Sequence, residues 1–188
     1  MKNFRPKAWL LPQPVLIIGT YNADGTPNAM NAAWGGQCDY EQIAISLGSH
    51  ATTDNLNRCD EFTVAFATRE TLVAADYVGV VSARKVPGKM QATGWESTKG
   101  VTVNAPVFSC FPMTLECRVS EKIHESSDGC YLIADILNIV CDEKYLADDG
   151  KPDVGKMDLI VFDPVHNGYI VLGQRVGSAF HDGLSLKG

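Results

Sequence analysis

Residues 15–21 form an apolar, largely β-branched run that ends in Asn22-Ala23-Asp24-Gly25. Asp-Gly suits a tight turn with positive φ, so this run reads as one arm of a β-hairpin whose second arm is 27–34. The same pattern recurs along the chain. Residues 42–47 and 61–68 are strands; in the second, Phe62, Val64 and Phe66 alternate with Thr63, Ala65 and Ala67, a period of two. Runs 112–122, 130–141, 159–162 and 169–172 continue it, with a polar turn over 125–129. Helical signals are few. One short helix is expected at 53–58. A longer one is expected at 70–81, opened by Glu70 or Thr71, with Leu72, Ala75, Tyr77 and Val80 on one face and Gly79 against it. Residues 84–104 read as a long loop with one helical turn, of a length that often does functional work. Residues 145–155 are acidic and turn-rich, and the tail from Gly173 is irregular. Many short strands with few helices point to a mainly β fold, a closed or nearly closed β-barrel with small helical insertions.

The 188 residues are 45% hydrophobic and 20% charged, which fits one globular domain with a real core. A net charge of −6 argues against a nucleic-acid role. The basic cluster Arg84, Lys85 and Lys89 is too short to change that, though it suffices to help hold one phosphate. Lys2, Arg5 and Lys7 precede an apolar run of 8–11 that Pro12 and Pro14 interrupt, so neither an export signal nor a membrane span is expected, and the chain reads as cytoplasmic. Cysteines 38, 59, 110, 117, 130 and 141 show no C-x-x-C spacing and read as reduced, mostly buried thiols. Cys38 and Cys59 lie nearest the features below. His50, His124, His166 and His181 lack metal-ligand spacing, and His124 and His166 read as surface positions. No G-x-G-x-x-G, phosphate-loop or G-x-S-x-G motif occurs.

One stretch departs from core-strand composition. Asn28-Ala29-Met30-Asn31-Ala32-Ala33-Trp34 is small and polar where bulky apolar residues would be usual. Small side chains let a flat ligand approach the backbone. A strand later, Ser49-His50-Ala51-Thr52-Thr53-Asp54-Asn55 precedes a helical pattern, and unpaired N–H groups at a helix N-terminus suit a phosphate. A ring site followed by a phosphate site suggests a phosphorylated aromatic cofactor. The same residues read equally as caps and turn formers, and Trp34 as plain core. Asp76 reads as solvated or capping.

The order Pro14-Val15-Leu16-Ile17-Ile18-Gly19-Thr20, Asp24-Gly25, Asn28-x-x-Asn31-Ala32-Ala33-Trp34, Ser49-His50-x-Thr52-Thr53-x-Asn55-Leu56, Phe62-Thr63-Val64, Asp76, Leu115-Glu116-Cys117-Arg118-Val119 and Tyr169 to Phe180 resembles the flavin-reductase-like FMN-binding proteins, closest to the flavoredoxin group. The resemblance implies an FMN-binding split β-barrel and a homodimer with flavin near the subunit interface. By position, it implies that Asn28, Ala29, Met30, Asn31, Ala32, Ala33 and Trp34 contact the isoalloxazine. Ser46 and Leu47 would line the ring or ribityl chain. Ser49, His50, Thr52, Thr53 and Asn55 would hold the phosphate, and Lys89 would reach the phosphate or a second substrate. Many relatives carry Arg where this chain has His50; a neutral imidazole makes a weaker, pH-dependent contact. The flavin does the chemistry in such proteins, so no catalytic side chain is expected. Three activities follow from the resemblance: an NAD(P)H-dependent flavin reductase, a flavoredoxin-type electron carrier reduced by a partner protein, or a barrel that has lost flavin.

Overall fold

The structure, a computed structural model, describes residues 1–126 and 128–187, the side chains of 124–126 excepted. The expected turn over 125–129 and the side chain of His124 therefore lie outside the described residues, wholly or in part. The first hairpin pairs β2 (Leu16–Tyr21) with β3 (Pro27–Ala32), register Ile18 to Met30. Gly25 takes φ +81°, and the Asp24 carboxylate accepts from the Thr26 amide and hydroxyl, as a tight turn requires. The second arm stops short of Trp34. The chain bends at Ala33-Trp34 and resumes as β4 (Gly35–Asp39), a strand not anticipated, which turns into β5 (Gln42–Gly48).

After α1 (Ala51–Arg58) come β6 (Glu61–Phe66), α2 (Leu72–Val80), α3 (Lys89–Thr93), β7 (Ser97–Lys99) and β8 (Pro106–Phe108). Two long strands follow, β9 (Met113–Ser126) and β10 (Gly129–Cys141), then β11 (Ile160–Asp163) and β12 (Gly168–Val171). Seven strands form one antiparallel sheet in the order β3-β2-β6-β9-β10-β5-β4. Its two outer strands are consecutive in the chain. Two residues therefore join the two edges, and the sheet is bent round until they meet. The Ser46 amide donates to the Trp34 carbonyl (2.8 Å) at that corner. Away from it, β3 keeps a free edge, so the barrel is split rather than closed. A short β1 (Gln13–Pro14) joins β11 and β12 in a second sheet, and β7 pairs with β8.

Ile17 and Ile18 point to opposite faces and both are fully buried, which is why 15–21 lacks alternation. Ile18, Ile45, Phe62, Val64 and Leu132 pack inside the barrel. Ile17, Ala29, Ala65, Ala75, Val78 and Phe108 form a second core between the sheet and α2. Burying each large side chain contributes about 1.5–3 kcal/mol.

On α2, Ala75 and Val78 are buried and Leu72 and Tyr77 pack against the same core, as the expected face has it for three of its four residues; Val80 is exposed and Val78 takes its place. Gly79 has a packing reason: a Cβ there would stand 3.0 Å from the Cβ of Asn31 on β3. Asp76 is exposed but accepts a hydrogen bond from the Tyr169 hydroxyl (2.7 Å). The 84–104 loop contains α3 and β7. Its end is pinned by Glu116, fully buried on β9, whose carboxylate accepts from the Val101 and Thr102 amides and the Thr102 hydroxyl. No disulfide forms among the described residues, and only Cys117 is buried; Cys38 and Cys110 are exposed, against the expectation of mostly buried thiols. No helix among the described residues is long and apolar enough to cross a membrane.

Candidate functional site

The free edge of β3 meets the first turn of α1 and the end of α2 around a cavity of about 10 Å³. Asn28, Met30, His50, Thr52, Val78 and Lys89 line it, and Ser82 and Ala83 cover it. Asn28 is fully buried. Its Nδ2 donates to Thr52 Oγ1 (3.0 Å) and more weakly to Thr20 Oγ1 (3.4 Å), while its Oδ1 has no partner. A buried amide oxygen left unpaired costs about 1–3 kcal/mol, a cost that a polar occupant reaching it would relieve. Thr52 Oγ1 accepts from Asn28, which leaves its hydrogen to donate.

His50 is the N-cap of α1, with extended backbone. The Thr53 hydroxyl accepts from the His50 amide (2.9 Å) and donates to the His50 carbonyl (2.7 Å). Thr53 thus holds the turn, and its hydrogen is spent on it. The first-turn amides have no partner within the helix and point toward its N-terminal side, with the positive end of the helix dipole. Burial lowers the affinity of His50 for a proton, and the charges of Arg84 and Lys89 lower it further, so the imidazole is neutral near pH 7.

Lys89 was expected to lie in a loop. It opens α3 and is 3% exposed, its ammonium donating to the Val81 (3.0 Å) and Val78 (3.3 Å) carbonyls at the end of α2. Burial pushes its pKa down to about 8. No carboxylate among the described residues pairs with it. Arg84 stands at the rim, gripping Asp54 of α1 through Nε (2.8 Å) and Nη2 (2.7 Å) and reaching Ser49 Oγ (3.2 Å) through Nη1. One cation, a helix N-terminus and a free hydroxyl hydrogen converge on one small space, which suits an anion. Among the described residues no group of metal ligands occurs.

The other anticipated residues divide. Asn55 faces away from the cavity, donating to Thr20 and Asn22 and accepting from Arg58, and so ties α1 to the first hairpin. Asn31 donates to the Ala75 carbonyl (3.1 Å) and holds α2 to β3. The side chains of Ala29, Ala32 and Leu47 lie in the two cores, which leaves only their main chain to a ligand. Ala33, Trp34 and Ser46 line a separate groove of about 610 Å³, between the N-terminal arm and β4–β5, with Trp9, Gly35 and Tyr131. Trp34 is 60% exposed, which removes the reading of it as core. The anticipated site is therefore a cavity at one end of β3 and a groove at the other, with structural residues between them.

Sequence reasoning did not find Val78, Gly79, Ser82 and Ala83 as the far wall, and it grouped Arg84 with Lys89 although only Lys89 enters the cavity. A further cavity of about 720 Å³, on the opposite face of α2 beside Tyr77, Trp95, Cys110 and Tyr145, holds none of the anticipated residues.

A family model described as "Flavin reductase like domain" matches residues 9–154. No curated protein matches the chain. Among solved structures, flavoredoxin of Desulfovibrio vulgaris (Miyazaki F) is similar at 32% identity and TM-score 0.91, covering 97% of this chain and 99% of that one. Flavoredoxin from Methanosarcina acetivorans is similar at 28% identity and TM-score 0.88, covering 99% of each. An FMN-binding protein from Thermus thermophilus shares the fold at 18% identity and TM-score 0.74, covering 95% of this chain and 99% of that one.

Proposed function

The chain belongs to the family of flavin reductase-like domains, and from that premise we propose that it is an FMN-binding flavoprotein that passes hydride or electrons through the flavin. The observation that carries this reading is Lys89, a buried ammonium lining a cavity beside a helix N-terminus, bonded to two carbonyls but with no carboxylate among the described residues to neutralise it. An unpaired buried charge is costly, and a phosphate is the partner that would offset the cost. The unpaired Asn28 Oδ1 fits the same reading, since a polar ligand relieves it. FMN, when bound, supplies the ring that accepts and donates hydride or electrons.

The residues of the chain hold and orient that group. Lys89, the Thr52 hydroxyl and the first-turn amides of α1 bind its phosphate. The free edge of β3 offers main-chain donors and acceptors, and the small side chains of 28–33 allow close approach. Trp34 and Ser46, in the groove beyond, bound the space in which a second reactant would stack. No side chain is asked to move a proton.

In the first form of the proposal NADH or NADPH is the donor, and the protein is an NAD(P)H-dependent flavin reductase. A second form makes it an electron carrier reduced by a partner protein. The 32% identity to a flavoredoxin over nearly the full chain favours keeping it. Visible spectra of the purified protein before and after FMN, followed by anaerobic addition of NADH and NADPH, separate the cases. Bleaching by a nicotinamide supports the reductase; yellow protein that neither nicotinamide reduces supports the carrier. Protein that stays colourless with FMN ends both.

We also propose a homodimer. Phe4, Leu10 and Leu11 on the N-terminal arm and Ile139 on β10 are exposed apolar side chains that a second copy would cover. A monomeric mass in solution would reject it.

A further inference from the structure

The cavity at the α1 N-terminus holds about one water, far less than a phosphate ester needs. Its cover is the segment 82–88, of which Ser82 and Ala83 face the cavity and 84–88 are exposed. The segment's backbone hydrogen bonds are local turns, Lys85 and Val86 to the Ser82 carbonyl and, at its end, Lys89 to the Val86 carbonyl. Among the described residues, the side-chain bonds that reach from it to α1 and Ser49 all come from Arg84. Both partners of the main bond, Arg84 and Asp54, are about half exposed, at 42% and 55% of the side chain. A paired guanidinium and carboxylate at the surface is well defined in geometry but weak, and it opens readily.

We propose that 82–88 is a clasp over the anion cavity and that the Arg84–Asp54 pair is its catch, so that Arg84 is a positioning residue that sets how fast the phosphorylated ligand enters and leaves. This rests on the reading of the cavity as the FMN phosphate site. A clasp of this kind decides between resident and exchanging flavin. A closed catch keeps the ligand through many cycles, and an open one lets it shuttle. Opening breaks two charge-assisted bonds to Asp54 and the contacts to Ser49, and carries Ser82 and Ala83 off the cavity. Lys89 stays with α2, because its bonds run to Val78 and Val81.

Stopped-flow FMN fluorescence on the full chain tests the catch in Arg84→Gln, Asp54→Asn and the charge swap Arg84→Asp with Asp54→Arg. Association and dissociation rates both rise about fivefold in each single variant, with Kd within about twofold, and the swap returns them toward wild type. Two results overturn the catch: unchanged rates, or an Arg84→Gln effect on dissociation alone with tighter binding by Asp54→Asn. The second would make Arg84 a direct phosphate ligand. Hydrogen exchange of amides 82–88 in flavin-free protein is the independent arm. Faster exchange in both single variants supports the catch, and unchanged protection rejects it. Wild-type protein that binds no FMN brings down the flavin reading, and the exchange arm then judges the catch by itself.

Discussion

Asn28 donates its side-chain amide to the Thr52 hydroxyl across 3.0 Å, joining the free edge of β3 to the first turn of α1, and leaves its own Oδ1 with no partner. This one bond holds together the two halves of the anion cavity, which lie twenty-four residues apart. It also leaves the Thr52 hydrogen free to donate. Asn28→Asp keeps the shape and adds a negative charge beside the phosphate position. FMN affinity falls on the order of a hundredfold, since facing like charges costs several kcal/mol. Isothermal titration measures it, and circular dichroism checks that the variant folds.

Lys89 gives the site its pH dependence. Its pKa in the free protein is about 8, and a bound phosphate raises it. Binding then takes up a proton at high pH, so affinity holds below about pH 8 and falls by up to about tenfold per pH unit above it. Lys89→Met weakens binding at pH 7 by about 2 kcal/mol and abolishes that slope. The folded-state pKa lies below that of the unfolded chain, so the free protein's stability relative to Lys89→Met rises from about pH 8 toward the ordinary lysine value of 10.5. Chemical denaturation of both proteins across that range checks the sign.

His50 and Thr53 separate by role. His50→Arg places a permanent charge where burial keeps an imidazole neutral, and FMN binds several-fold more tightly. Thr53→Ala removes the hydroxyl that bonds both the amide and the carbonyl of His50, and costs about 1 kcal/mol of stability. Its effect on binding comes through the loosened turn. If Thr53→Ala lowers affinity without lowering the unfolding midpoint, the hydroxyl touches the ligand instead.

Glu116 ties the 101–102 turn to β9. Burial by itself would push its pKa up, but the bonds from the Thr102 hydroxyl and amide and the Val101 amide outweigh that and hold it below 4.5. A depressed carboxylate stabilises the fold above the unfolded value and loses that contribution as pH falls through the folded one. Glu116→Gln costs about 2–3 kcal/mol at pH 7, because its amide NH₂ confronts N–H donors, and the difference from wild type shrinks below pH 4.5. Urea titrations at pH 7 and in the acid range measure both numbers.

Period-two runs and Asp24-Gly25 marked most strands, because alternation and turn chemistry are local. Four short strands, β1, β4, β7 and β8, escaped, and the inward side of α2 was legible only in part, for physical reasons. β4 carries Gly35-Gly36-Gln37-Cys38-Asp39, with no apolar face, since it closes an edge rather than covering a core. β8 is three residues long and follows a proline-bounded loop. Helix α2 is apolar nearly all round, so its spacing says only in part which side faces inward; Gly79 against Asn31 settles the rest. In the site, small and hydroxyl-bearing residues were legible, but cavity-forming and structural ones look alike in sequence. Asn28 on β3 and Asn55 on α1 are the same residue type, both bonded to Thr20, and only Asn28 lines the cavity.

By itself, the sequence determined a β-rich chain, a slender polar strand and a hydroxyl-rich helix start in the order a phosphorylated ring compound needs, because composition and period are written residue by residue. Only the tertiary structure decided which side chains share a space. It brought Lys89 from another segment to the α1 terminus, stripped it of water, turned Asn55 and Leu47 away and set Arg84 on Asp54. Burial and charge proximity belong to pairs of residues far apart in the chain, and no stretch of sequence carries them.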